Sequence, residues 1–302
     1  MSWYVAALVS ALALSGQALF FQRLQKHYAI STYMTYVWLG TAGLLAALFL
    51  RASDIPSITE NIVALVLAAL ASFFGQYAYN QSIKTQNNIG YIEVVVAVRT
   101  AITYVFSFIA FNAAFESVKL VGVIIITVGV LIVAEAFPFQ HKEEPKNAAN
   151  QPEKSEKSGF QIGWLGWAMI AALMFTVMPI FVRFATDNGT RPEVALVVVL
   201  VVAGLFFLMW SGVAKTSLKI ARPHIMLIVI AIAFATVGNA ADFISFQKTP
   251  NLAYAIAISN TRMIILYIMG MILFAEKFEK FKGVGIILTF IGVIALSLEA
   301  PL

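Results

Sequence analysis

The sequence predicts an all-α integral membrane protein, with ten transmembrane helices arranged as two inverted five-helix repeats. Three observations carry this prediction. Hydrophobic residues make up 61% of the 302 residues and charged residues only 12%, whereas a soluble globule is typically about 45–50% apolar. The apolar residues fall into ten blocks, each close to the roughly 20 residues that a helix needs to cross a bilayer. The chain also reads itself twice: residues 71–135, shifted by 163 positions, fall on 234–298 without a gap, and 18 of the 65 aligned positions are identical.

The first block covers about residues 3–22. Met1-Ser2-Trp3-Tyr4 carries no Lys or Arg, and no small-residue cleavage site follows before Phe21. It therefore reads as a retained span, not a signal peptide. Blocks two to five cover about 29–51, 61–82, 89–110 and 119–137. A polar stretch, 138–160, follows, with His141-Lys142-Glu143-Glu144-Pro145-Lys146 and Glu153-Lys154-Ser155-Glu156-Lys157. Such a composition cannot bury enough apolar surface to order itself and reads as a flexible linker. Blocks six to ten cover about 162–186, 193–212, 223–247, 252–274 and 281–298. The domains are thus a first repeat, 1–137, the linker, 138–160, and a second repeat, 161–302. Five spans per repeat is an odd number, so the second copy enters the membrane from the opposite side.

The positions that match between repeats are not explained by shared greasiness. Gly75 meets Gly238, Asn88 meets Asn251, Tyr91 meets Tyr254, Arg99 meets Arg262 and Tyr104 meets Tyr267. Glu116 then meets Glu279, Lys119 meets Lys282, Gly122 meets Gly285 and Gly129 meets Gly292. The earlier spans align less well: Phe21 and Arg23 meet Phe181 and Arg183 at an offset of 160. The paired glycines lie seven residues apart on one helical face, which suits close packing between the fifth and tenth spans or between protomers.

Composition excludes several function classes. The chain has no cysteine, so thiol catalysis, disulfides and thiolate metal sites are ruled out. Three histidines, no His-rich motif and no nucleophile beside a base argue against an enzyme. No phosphate-binding Gly-x-x-x-x-Gly-Lys-Ser/Thr loop is present, which argues against an ATP-driven pump. No cofactor or metal is expected. The net charge of +5 sits mainly in loops, where it serves topology and lipid headgroups, not nucleic acid. The loop charges taken alone place both termini outside.

The end of the second repeat reads Leu273-Phe274-Ala275-Glu276-Lys277-Phe278, then Lys282-Gly283-Val284-Gly285 and Gly292-Val293. It resembles the end of an EamA-type unit of the drug/metabolite transporter superfamily, where a Glu closes the fourth span and a Gly-rich fifth span follows. Pro250-Asn251-Leu252-Ala253-Tyr254 is similar to the entry of that fourth span. Ala113 stands where Glu276 would have its counterpart, so the first repeat departs from the pattern. The resemblance implies a ten-helix exporter or exchanger in the plasma (inner) membrane. Its cavity would be lined by the first, third and fourth spans of each repeat, and its termini would be cytoplasmic, opposite to the charge count.

Candidate site residues follow from polarity inside apolar blocks. Arg99 and Arg262 are each the eleventh residue of their block. A charge at that depth costs at least about 2.5 kcal/mol, so it faces a cavity or a partner. An Arg fork suits a carboxylate or phosphate. The two either clamp an anionic substrate, pair with acids, or divide these roles. Tyr91 and Tyr254 lie eight residues earlier, about 80° around a continuous helix, and so share a groove with the arginines. Asn239 and Asp242 lie on one face of the eighth span, and Gln76 and Tyr79 on the matching face of the third. Asp242 is a coupling-proton candidate or a salt-bridge partner of an arginine. Glu93 is a second proton candidate or an interfacial, solvated residue. Ser259 and Asn260, beside Arg262, are substrate lining or interhelical glue.

These readings converge on a secondary transporter that exports or exchanges a small metabolite by alternating access. An amino acid or organic anion is preferred. The alternative is proton-coupled efflux of cationic drugs through Glu93 or Asp242. The expected partners are that substrate, the lipid bilayer and, for coupling, a proton; the protein acts as a monomer or homodimer and binds no nucleic acid.

Overall fold

The structure, a computed structural model, describes residues 2–86, 89–111, 117–133, 162–249, 252–274 and 279–297. Among these all regular structure is helical. The first repeat contains α1 (Trp3–Leu24), α2 (Ile30–Phe49), the short surface helix α3 (Ile55–Glu60), α4 (Ile62–Thr85), α5 (Ile89–Val96), α6 (Val98–Phe111) and α7 (Ser117–Val133). The second contains α8 (Trp164–Asp187), α9 (Pro192–Val213), α10 (Arg222–Lys248), α11 (Leu252–Ser259), α12 (Arg262–Phe274) and α13 (Lys280–Ser297). Pro192 and Pro223 stand in the first turns of α9 and α10, where a missing N–H costs nothing.

Seven helical segments are long and apolar enough to cross a membrane: α1, α2, α4, Ile89–Phe106, α8, α9 and α10. Two shorter apolar stretches, Leu120–Val133 and Arg262–Leu273, lie in α7 and α12. The protein is a multi-pass membrane protein. Leu8, Leu12, Leu48, Val63 and Ile272 are exposed on it, as side chains facing lipid can be.

The fourth and ninth apolar blocks are not continuous helices. The first breaks at Ala97 and the second at Asn260-Thr261, and 97 and 260 are equivalent at the repeat offset of 163. Each break is a tight turn. The amide of Thr100 donates to the Ala97 carbonyl at 3.0 Å, and that of Met263 to the Asn260 carbonyl at 3.1 Å. These three-residue steps are 3₁₀-like, and inside a longer helix they often mark a hinge.

The repeats interleave. α1 packs on α10 and α4 on α8, contacts that the repeat exchanges. α2 packs on α9, α5 on α12 and α7 on α13, where an element meets its own counterpart or the following half of it. These pairs run antiparallel. On α2 and α9, Thr32 Oγ1 donates to the Ser217 carbonyl at 2.9 Å just beyond one helix end, and Arg191 reaches the Phe49 carbonyl at the other. On α7 and α13, a Cβ on Gly285 would lie 2.7 Å from the Gly129 carbonyl oxygen, and one on Gly292 equally close to that of Gly122. The glycine pairs therefore serve the α7–α13 seam within one chain.

Two polar clusters tie the bundle ends. At one, the Tyr28 hydroxyl lies 2.8 Å from His224 Nδ1 and accepts the Ala221 amide at 3.0 Å. At the other, Asn61 Nδ2 donates to the Asn188 carbonyl and Thr190 Oγ1, and Arg191 pairs with Asp54 at 3.3 Å. The expected linker 138–160 lies outside the described residues, as do Asn88, Ala113, Glu116, Pro250, Asn251 and 275–278.

Candidate functional site

Arg99 and Arg262, which follow the two helix breaks, line one small, partly open cavity of about 50 Å³ between the repeats. From α1 it receives Leu14, Gln17, Ala18 and Phe21; from α8, Phe175 and Met178. The polar wall is Gln76 and Tyr79 of α4, Glu93 of α5, and Arg99 of α6. Facing it are Asn239 and Asp242 of α10 and Arg262 of α12. Gln76 and Asn239, Tyr79 and Asp242, and Arg99 and Arg262 are each equivalent at the offset of 163, so the wall is built from both halves alike.

Glu93 breaks the equivalence, because its counterpart is the fully buried Ile256. Glu93 is only 2% exposed, and Arg262 Nε donates to its Oε2 at 2.7 Å. The Tyr79 hydroxyl donates to Oε1 at 2.5 Å. Both carboxylate oxygens are thus engaged, one with a charge, and this triad joins α4 and α5 to α12. The expectation of an interfacial, solvated Glu93 is corrected: the cost of burying its charge is offset by a charge-assisted pair and a phenol.

Arg99 takes the other role. Its Nε and Nη2 donate to Asn260 Oδ1 at 3.3 and 3.1 Å, and its guanidinium lies 5.9 Å from the centroid of the Phe175 ring. Among the described residues it makes no ion pair. Asn260 is held in turn, because its Nδ2 donates to Thr100 Oγ1 at 2.6 Å. Asp242 is likewise unpaired by any cation among the described residues. Its Oδ1 accepts the Ser10 hydroxyl at 3.0 Å and the Ser259 hydroxyl at 2.8 Å. Its expected salt bridge to an arginine is therefore not made.

Two amides complete the wall. Gln17 Nε2 and Gln76 Oε1 are buried and have no hydrogen-bond partner among the described residues. A buried donor or acceptor left empty costs about 1–3 kcal/mol, so the cavity presents polar groups that a guest can satisfy.

The profile of the EamA-like transporter family matches residues 1–134 and 162–298 of the sequence, one match per repeat. The chain belongs to the EamA-like transporter family. It is accordingly a membrane transporter of the drug/metabolite type, a class of transporters and not of enzymes. Comparison with curated proteins gives no match. Among solved structures, a chain titled "Crystal structure of protein" is similar at a TM-score of 0.65 and 11% identity, over 97% of each chain. That likeness bears on the fold alone.

In this transporter, seven of the residues singled out from the sequence line the cavity: Gln76, Tyr79, Glu93, Arg99, Asn239, Asp242 and Arg262. Ser259 and Asn260 stand behind the wall and hold Asp242 and Arg99. Tyr91 is elsewhere. The break at Ala97 interrupts the helix on which a shared groove was reckoned, and the Tyr91 ring packs on Tyr267 and beneath the Lys282 ammonium. The side chain of Tyr254 lies outside the described residues. Residue-level reading missed Ser10 and Gln17. They lie seven apart on one face of α1 and were visible as polar positions in an apolar block, but neither has a polar counterpart in the second repeat.

Proposed function

We propose that the protein is a secondary transporter that exports or exchanges a small polar metabolite across the plasma (inner) membrane by alternating access. The observation that carries this is the buried polar wall built from equivalent residues of both repeats, with a helix break beside each arginine. Ten transmembrane helices in two inverted units account for the antiparallel pairing of α7 with α13 and of α2 with α9. The two halves then rock about the cavity, and substrate meets the same wall from either side.

At about 50 Å³ the cavity has room for a few waters and no metabolite. Admitting a metabolite therefore requires the halves to separate. The breaks at Ala97 and Asn260 are the natural hinges, because local backbone rotation there moves half a span without unwinding the rest. The Glu93–Arg262 pair crosses between the repeats and closes the wall.

The preferred substrates are amino acids and organic anions, because Arg99 offers a guanidinium that makes no ion pair among the described residues. A second reading, efflux of cations coupled to protons, draws on Asp242, which makes no ion pair among the described residues. Thermal denaturation of the purified protein against panels of amino acids, organic anions and quaternary cations separates them, since a ligand of the folded state raises its melting temperature. Stabilisation by carboxylate-bearing solutes that is lost in Arg99→Ala supports the first reading. Stabilisation by cations alone overturns it.

A further inference from the structure

We infer that the groove between the start of α10 and the α9–α10 loop is a binding site for an anionic phospholipid, with an acyl chain in the groove and the phosphate between Lys219 and Arg222. The site shares no residue with the cavity between the repeats and does not depend on what that cavity carries.

The groove is built by a strap. Residues 214–221 leave α9 and lie along the first turns of α2. There the Thr32 hydroxyl donates to the Ser217 carbonyl at 2.9 Å and the Tyr36 hydroxyl to the Leu218 carbonyl at 2.8 Å, while Ser31 Oγ lies 3.0 Å from Thr216 Oγ1. The loop tied in this way forms one wall and α10 the other. Between them is a groove of about 660 Å³, whose lining includes Tyr36, Leu218, Lys219, Ile225, Ile228 and Val229. That volume is within the roughly 300–1,000 Å³ of ligand clefts. Ile225, Ile228 and Val229 stand three and four residues apart, on one face of α10, and Tyr36, Ile225 and Val229 are exposed. Val229 lies seven residues into α10, so the groove runs about 10 Å from the helix end toward the middle of the membrane. An apolar trough at that depth meets acyl chains.

The outer end of the groove is cationic. Lys219 lines it, and Arg222 stands three residues before Ile225 and seven before Val229, at the start of the same face of α10. Lys215, Lys219 and Arg222 are exposed and make no ion pair among the described residues. Neither this loop nor the α1–α2 turn against it, 25–29, contains an Asp or Glu. The first turn of α10 adds the positive end of its dipole. At the other end of the bundle Arg183 and Arg191 pair with Asp187 and Asp54. A neutral lipid would fill the trough and leave the three cations unmatched. A free phosphate would match them and leave the trough empty. The two features together select a molecule with an anionic head and an apolar tail, as basic pockets beside membrane helices do. Tyr36 belongs to one repeat and α10 to the other, so a lipid seated here bridges the two halves.

The test uses full-length protein purified in detergent. The probes are phosphatidylglycerol, phosphatidylcholine with the same acyl chains, and soluble glycerophosphate. Native mass spectrometry counts bound lipid, and thermal unfolding reads the stabilisation that a ligand of the folded state gives. The expected result is one phosphatidylglycerol held at least ten-fold more tightly than phosphatidylcholine, with a higher melting temperature. Lys219→Gln combined with Arg222→Gln should abolish that preference. Val229→Trp, which fills the groove without touching a charge, should weaken binding, and Arg183→Gln at the other end should leave it unchanged. Melting of each variant without lipid reports folding. If the double variant does not fold, the comparison of the two lipids on wild type still decides. Equal retention of the two lipids overturns the site, as does a preference that survives the double variant. Undiminished binding in Val229→Trp overturns the groove as the seat of the acyl chain. Stabilisation by glycerophosphate equal to that by phosphatidylglycerol shows an anion site and overturns the lipid.

Discussion

Arg262 and Glu93 meet across the two repeats at 2.7 Å, 169 residues apart in sequence, and Tyr79 closes the other oxygen of the same carboxylate. The pair is nearly free of solvent, so each charge depends on the other. The equivalent arginine, Arg99, has no such partner among the described residues, and Ile256 stands where Glu93 would be repeated. The repeat makes the two arginines alike, and one difference between the halves, Glu93 against Ile256, separates their surroundings.

Breaking the buried pair from one side leaves an uncompensated charge in a low-dielectric interior. Arg262→Gln and Glu93→Gln should each destabilise the protein by about 3–5 kcal/mol. The double variant should recover part of that loss, because neither charge is then stranded. Unfolding of purified protein followed by tryptophan fluorescence, arranged as a double-mutant cycle, measures the coupling. Additive losses would contradict the pairing.

The α7–α13 seam gives a prediction about packing alone. A methyl on Gly292 would stand 2.7 Å from the Gly122 carbonyl oxygen and 2.8 Å from the Ile126 amide nitrogen, both backbone. Neither can swing aside, so Gly292→Ala should cost about 1–3 kcal/mol. Gly43→Ala, where a methyl meets nothing within 4 Å, should be neutral or slightly stabilising. Melting temperatures of the two variants provide the comparison.

Much of this was legible in the sequence, and what was not has physical causes. Arg99, Arg262, Asp242, Gln76 and Asn239 announce themselves as polar groups in apolar blocks, where desolvation makes an idle polar residue rare. Their partners do not. Which arginine finds Glu93 depends on how α5 meets α12, a tertiary contact with no local signature, so Glu93 passed for an interfacial residue. Tyr91 was misdirected by the assumption of a continuous helix, since no glycine or proline marks the turn at Ala97. Phe175 and Met178 line the wall but are chemically indistinguishable from packing residues.

The ends of the bundle offer a test of arrangement in the membrane. The α1–α2 turn and the α9–α10 loop share one end through Tyr28 and His224. The α3 region and the α8–α9 turn share the other through Asn61 and Asn188. Because the chain has no cysteine, single cysteines at the exposed positions Lys26, Lys219, Glu60 and Asn188 can be labelled selectively. Lys26→Cys and Lys219→Cys should react with an impermeant maleimide from one side of sealed vesicles, and Glu60→Cys and Asn188→Cys from the other. The side that reacts also decides between the charge count and the family resemblance on the location of the termini.

The most direct measurement is amino-acid counterflow into proteoliposomes with wild-type protein and Arg99→Ala. Arg99 makes no ion pair among the described residues, so this variant should lose less stability than Arg262→Ala, which strands Glu93. The account predicts saturable counterflow in wild type and at least a ten-fold loss in Arg99→Ala with folding intact. Undiminished counterflow in Arg99→Ala, or none for any solute in wild type, would contradict it.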